Sequence, residues 1–160
     1  MKPRPPAMRE KRRYILVRIL PYGFMPDRKD LYLAVIEAAT SLWGDVATGL
    51  AQPAVVFCDE GYAIVRCRRG TEGDIATALA TVTAIADERV ALRTVATSGT
   101  IRALKRRIRP ARPLEETGEV VIGEDSFTTY RYPRQKVDLI KKGTMHQKSL
   151  FFTREDLEER

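Results

Sequence analysis

The chain has 160 residues, 44% of them hydrophobic, which suits one domain of ordinary size with a real core. Its formal charge of +7 is uneven, because Met1 to Arg112 holds 20 Lys and Arg against 11 Asp and Glu while Pro113 to Arg160 holds 8 against 10. That balance speaks of an anionic partner rather than of fold, two cysteines without disulfide or zinc spacing exclude a stapled secreted scaffold, and no apolar run reaches the length that spans a bilayer.

Residues 1–12, rich in Pro, Lys and Arg, are expected to form a flexible basic arm. RYILVRIL (Arg13 to Leu20) then reads as a strand with Ile15, Val17 and Ile19 on one face, closed by Pro21, Gly23 and Pro26. Arg18 interrupts its apolar run, so the start lacks a secretory signal, and a cytoplasmic location is expected. Asp27 to Gly44 carries Leu31, Val35, Ala38 and Leu42 at helical spacing and predicts an amphipathic helix that stops at Gly44. Pro53 to Gly70 is two β-rich runs split by Asp59, Glu60 and Gly61, which is hairpin chemistry. Its cysteines, Cys58 and Cys67, read as reduced core thiols. Thr71 to Asp87 predicts a second helix, with Thr71 and Asp74 in the cap and third positions and Ile75, Leu79, Val82 and Ala86 on one side. Glu88 to Thr97 alternates as a strand, and Thr97 to Pro110, TSGTIRALKRRIRP, predicts a last helix with Ile101, Leu104 and Ile108 as its apolar stripe.

The order β, α, β, β, α, β, α predicts an α+β chain of the ferredoxin-like, RRM-like kind. Two helices cover one face of a four-stranded antiparallel sheet (βαββαβ), and the basic helix packs its stripe on the open face or along an edge. This body is assigned to 13–112. A C-terminal extension, 113–160, holds short strand-like pieces (EVVIG, TTYRYPRQ, KVDLIKKG, SLFF) and a capped terminal turn in FTREDLEER. It is expected either to order on the body or a partner, or to stay partly disordered.

Self-contained catalysis calls for a constellation that the sequence does not offer. The one histidine, His146, has no partner at metal-ligand or triad spacing. Asp59 and Glu60 are explained by the hairpin turn, and Asp27, Asp30, Asp45 and Asp74 by helix ends and turns. An acylphosphatase, on the same general architecture, uses an Arg with an Asn, and the chain has no Asn.

The hairpin's second arm, GYAIVRC, comes close to the strand signature of RNA-recognition motifs: Gly61, Tyr62, Ala63 and Val65 match, whereas Ile64 and Cys67 replace aromatics and Glu60 stands where a Lys or Arg is expected. Only Tyr62 is left to stack a base; the plainer reading is an aromatic packed under the last helix.

Basic residues carry the stronger signal. Arg66 and Arg68 fall on one side of the third strand with Arg69 just beyond; Arg18 joins them if the register allows, and Arg89 and Arg93 share a side of the fourth. The last helix adds Arg102, Lys105, Arg106, Arg107 and Arg109 without an acidic residue among them, whereas a merely solvated face interleaves both signs. Ser98, Gly99 and Thr100, at its start, offer backbone N–H groups to a phosphate, since no carboxylate occupies the first turn. Base readout typically uses Asn or Gln, and only Gln52, Gln135 and Gln147 are present, so phosphate contacts to a structured RNA fit better. Neutralising about six phosphates gives a log–log salt slope near −5.

KRRYILVRI (Lys11 to Ile19), GYAIVRCRRG (Gly61 to Gly70) and above all RTVATSGTIRALKRR (Arg93 to Arg107), a strand running into SGT and a basic helix, resemble the archaeal ribonuclease P protein component 2 family. Its eukaryotic relatives are small subunits of RNases P and MRP, and the likeness covers about Lys11 to Arg112. The resemblance implies a non-catalytic subunit of the particle that removes the 5′ leader from precursor tRNA. In that family the RNase P RNA is the catalyst and uses Mg2+, and the polypeptide binds no cofactor or metal. The protein partner implied is component 3, a TIM-barrel-like subunit, with two such pairs forming a heterotetramer. Leu16, Tyr62 and Ile64 are the expected exposed apolar contacts for it. Two other classes remain open on the residues: a stand-alone single-strand RNA-binding module, and a ferredoxin-like ligand-binding regulatory domain.

Overall fold

The structure, a computed structural model, describes residues 10–21, 23–59, 61–109, 115–132, 136–142, 149–153 and 156–157. Strand β1 (Arg12–Leu20) is central in a sheet of order β2-β3-β1-β6, with β2 (Ala54–Asp59), β3 (Tyr62–Arg68) and β6 (Ala91–Ser98) all paired antiparallel to their neighbours. Alternation along β1 sends Ile15, Val17 and Ile19 to one face and Leu16 to the other, and all are buried because both faces are covered. On the first face they meet Leu31, Val35 and Ala39 of α1 (Arg28–Ala51) and Ile75, Ala78 and Leu79 of α2 (Glu72–Thr81).

Helix α1 starts where the sequence predicts, with the Asp27 carboxylate accepting from the Lys29 N–H at 2.7 Å. It does not end at Gly44. That residue is a non-helical break (φ 78°, ψ 169°), and the helix resumes to Ala51, closed by Gln52 in the left-handed region. Leu42, expected in the core, is 42% exposed beside the break. Helix α2 ends earlier than expected, because the β-branched Val82 and Thr83 leave the helix. A small hairpin follows, β4 (Ala84–Ile85) against β5 (Glu88–Arg89), through Ala86 and Asp87, both at positive φ. Arg89 therefore lies in that hairpin and shares no strand with Arg93. Thr71 makes no side-chain cap and instead donates its hydroxyl to the Arg68 carbonyl at 2.8 Å. Gly61, at φ 76°, turns the β2–β3 hairpin.

On the sheet's outer face lies α3 (Ile101–Lys105), whose Leu104 is fully buried over Leu16, Tyr62 and Ile64, flanked by Ile101 and Ile108. The extension is β-rich: β7 (Glu115–Ile122), β8 (Asp125–Arg131), β9 (Lys136–Lys141) and β10 (Ser149–Thr153) form an antiparallel meander of order β10-β9-β8-β7. Its core is Phe127, Val137 and Leu139, packed by Ile122, Leu150, Phe152 and Leu157. At the final turn the Thr153 N–H and hydroxyl donate to the Asp156 carboxylate at 2.8 and 2.7 Å. Cys58 and Cys67 are free thiols, and burial raises the pKa of both. Among the described residues no helix is long and apolar enough to cross a membrane.

Candidate nucleic-acid interface

Register brings three strand ends to one corner of the body. Arg12 lies opposite Arg68, and Tyr14 lies between Arg66 and Ser98, so the start of β1 and the ends of β3 and β6 coincide. Side chains alternate across a strand, so Arg12, Arg66 and Arg68 share the outer face. Arg13 points the other way and reaches round the corner, its Nη1 3.5 Å from where a Cβ on Gly99 would stand. Arg69 follows β3, its N–H bonded to the Lys11 carbonyl at 3.0 Å.

Two glutamates hold these cations in place. Glu10 pairs with Arg12 at 2.9 Å and with Arg68 at 3.8 Å; Glu72 pairs with Arg13 at 3.6 Å. The Glu72 pKa is lowered, first by its own backbone N–H, then by the N–H of Gly70 and the charges of Arg13 and Arg69, so it stays ionised well into acid. Exposed pairs of this kind contribute about 0–1 kcal/mol each; their effect here is to orient the arginines and leave cationic charge in excess.

Helix α3 extends the cluster. Thr100 is its N-cap: the hydroxyl accepts from the Ala103 N–H at 3.3 Å, while the Thr100 N–H donates to Ser98 Oγ at 3.3 Å. A side chain thus satisfies the Thr100 donor, one of the three expected to receive a phosphate at Ser98, Gly99 and Thr100. The helix is shorter than the sequence implies, and only Arg102 and Lys105 of its predicted cations lie within it. A tightened turn then carries the chain to Ile108, with the Arg107 N–H bonded to the Leu104 carbonyl at 2.8 Å and that of Ile108 to Lys105 at 3.2 Å. Arg102, Lys105, Arg106, Arg107 and Arg109 are all exposed, and among the described residues none has an ion-pair partner. Lys105 Nζ sits 4.8 Å above the Phe57 ring of β2, which lays the tail across the sheet.

Of the predicted cations, Arg66, Arg68, Arg69 and Arg102 meet at the corner, and Lys105, Arg106, Arg107 and Arg109 continue from it along α3. Arg18 does not join them. It faces outward like Arg66 but pairs with Tyr62 and Arg93, four residues further along β1 than Tyr14. Sequence reasoning missed Arg12 by assigning it to the arm, and missed Arg13 although it placed that residue in the first strand. The signal was the alternation, which already runs from Arg12, but its partner Arg68 is visible only from the register. The expectation of exposed apolar contacts at Leu16, Tyr62 and Ile64 is corrected: they are 0%, 5% and 0% exposed, because α3 covers them. They offer a partner no surface, and Tyr62 has no free ring face for a base. His146 lies outside the described residues; among the described ones no group of three or more His, Cys, Asp and Glu is placed to hold a metal ion.

The sequence profile of the Rpp14/Pop5 family matches residues 13–109, the whole body from β1 through the α3 tail. The chain belongs to that family. It is 72% identical to Ribonuclease P protein component 2 of Methanoculleus marisnigri and 49% identical to the protein of that name from Methanosphaerula palustris, each over 160 residues and the full length of both chains. Both alignments therefore include the extension, which the family profile does not. A chain in the cryo-EM structure of yeast ribonuclease MRP is similar at 10% identity and a TM-score of 0.48, over 58% of this chain and 77% of that one.

Proposed function

We propose that the chain is a non-catalytic protein subunit of ribonuclease P, part of the holoenzyme that removes the 5′ leader from precursor tRNA. Membership of the Rpp14/Pop5 family supports this role. The observation that carries the contact surface is the corner at which Arg12, Arg66 and Arg68 share a face and Arg102 follows one turn away. The body is ferredoxin-like and RRM-like in plan, but its sheet face is occupied by α3. RNA is therefore bound at a corner and along a helix by phosphate neutralisation, without base stacking on the sheet. In the holoenzyme the RNA supplies catalysis with Mg2+, and this polypeptide stabilises its folded form by lowering phosphate repulsion. The protein partner is component 3, in two pairs, and the apolar surface left for it is on α1, where Trp43, Val46 and Leu50 are 43%, 78% and 56% exposed. The location is the cytoplasm. The test is reconstitution of precursor-tRNA cleavage with Arg106→Glu/Arg107→Glu: leader removal at low Mg2+ falls while the far-UV dichroism of the variant matches the parent. Unchanged cleavage at low Mg2+ rules out the α3 tail as the RNA contact.

A further inference from the structure

A second pair of arginines lies at the other end of the body sheet. Arg18 of β1 and Arg93 of β6 are register partners, so two half-buried guanidinium groups stand side by side on the outer face. Family folding does not explain them, since two like charges at adjacent positions repel one another. What faces them comes from the extension. The Tyr132 ring lies 4.7 Å from the Arg18 guanidinium, and the fully buried Asp138 is within electrostatic reach of Arg93, Tyr132 and Arg18. An anionic oxygen and an aromatic face are the two groups that an RNA strand presents to arginine, as phosphodiester and as base.

This contact is built to part. Among the described residues the hydrophobic clusters are separate: two lie wholly in the body and the third wholly in the extension, and no shared apolar core joins the two sheets. The polar contact is itself imperfect. Among the described residues no salt bridge joins Asp138 to Arg18 or Arg93, Arg18 Nε has no hydrogen-bond partner, and burial disfavours the charged forms of both Arg93 and Asp138. Buried opposite charges that do not hydrogen-bond each other gain little over their separated, hydrated forms. The family profile stops at residue 109, so the arginines belong to the shared body and the cover to the addition.

We propose that Arg18 and Arg93 form a second phosphodiester-binding site, closed by the C-terminal sheet acting as a displaceable stand-in for RNA, and that RNA engaged at the Arg68 and Arg102 corner lifts this cover. The site rests on the reading of the body as an RNA-binding subunit and extends its footprint across the whole outer face. The carboxylate and ring hold the arginines in a binding-ready pose until a phosphate replaces them.

The test uses the full-length chain and a labelled 20-nucleotide oligouridylate. Hydroxyl-radical and carbodiimide footprinting with mass spectrometry should show Tyr132 and Asp138 protected in the free protein and several-fold more reactive at saturating RNA. Arg18→Gln/Arg93→Gln should reduce the log–log salt slope by about 1.4, the value for two single-strand phosphates. Tyr132→Ala should tighten binding several-fold, because Arg18 loses the ring that covers it, and the gain should vanish in the triple variant with Arg18→Gln and Arg93→Gln. RNA binding with Tyr132 and Asp138 still protected, or with a salt slope indifferent to Arg18 and Arg93, overturns the second site and leaves the corner standing. No binding by the parent chain overturns both. If Tyr132→Ala loosens the extension, the carbodiimide footprint of Asp138 in the free variant shows it, and the tightening is still required.

Discussion

The two sheets of this chain are both four-stranded and antiparallel, yet they are stabilised differently. The body sheet is buried on both faces, so that consecutive residues Ile15, Leu16 and Val17 are each inaccessible. The extension sheet keeps one compact apolar cluster around Phe127, Val137 and Leu139, buries the polar Thr128 and Asp138 on its other face, and closes its surface with ion pairs such as Lys141 to Asp125 at 2.7 Å and Lys142 to Glu119. Charge divides the same way. Body cations outnumber anions and stand clear of them along α3, whereas Lys141 and Lys142 of the extension are paired within its own sheet. A sheet with apolar cover on both faces can spend its perimeter on cations for a partner; one whose second face is polar has Lys141 and Lys142 committed to its own edges.

The sharpest way to break this contrast is to hollow out each core in turn. Ile15→Ala removes a fully buried side chain from the doubly covered sheet and should cost about 2–5 kcal/mol, abolishing RNA binding at temperatures where the parent is folded. Leu139→Ala should cost a comparable amount to the extension alone, because its cluster is separate, and leave corner binding intact. Urea denaturation followed by Trp43 fluorescence for the body and by Tyr132 footprinting for the extension should resolve two transitions. A single coincident transition would mean that the sheets fold as one unit.

Next in size is the corner. Arg68→Glu/Arg102→Glu replaces two exposed cations and should weaken oligouridylate binding by about ten- to a hundredfold at low salt and shrink the salt slope, with little change in stability, since exposed charges contribute little to folding. The same reversal at Lys141 and Lys142, already paired within the extension, should leave affinity within about threefold. Equal losses at both places would erase the distinction drawn between the sheets.

A smaller effect is expected from pH. Burial pushes the Asp138 carboxyl up to about 6 against the pull of Arg93, Tyr132, Arg18 and Lys136, whereas a lifted cover returns it to water and to the ordinary value of 3.8. The closed form therefore binds the proton more readily, so closure gains as pH falls through about 6 and weakens as pH rises through it. Tyr132 in the RNA-free chain should become more reactive to footprinting between pH 5 and pH 7.5, and Asp138→Asn should flatten that profile.

How much of this was legible in the sequence follows from where each decision was made. Strands and helices of the body were readable because local periodicity and turn residues set them: Ile15, Val17 and Ile19 point inward as their alternation requires, and Asp27 caps α1 as its type predicts. Helix ends were not, since Gly44 breaks α1 without ending it and Val82 leaves α2 while still filling the core, both decided by packing at a distance. The α3 cations could be read directly because consecutive residues carry them. Arg12 could not, since its place beside Arg68 is a matter of register between strands more than fifty positions apart. The facing of Arg18 by Asp138 was least legible, because it depends on how one sheet is laid against another.

The smallest effect bears on the RNA-recognition-like strand. Tyr62 matches the signature by type, and an exposed ring there would contribute about 1–3 kcal/mol by stacking on a base. Here Leu104 covers it and 5% of the residue remains accessible, so its ring stabilises the seat of α3. Tyr62→Phe keeps the ring and should leave oligouridylate affinity within about twofold, and a base-free polyphosphate of matched charge should compete about as well as unlabelled oligouridylate, because phosphates rather than bases are what the corner recognises. A preference for oligouridylate over polyphosphate that Tyr62→Ala removes, with α3 still seated by footprinting at Leu104, would return the sheet face to base stacking. It would also make the body's double burial a resting state that RNA opens, as the extension's cover over Arg18 and Arg93 is proposed to be.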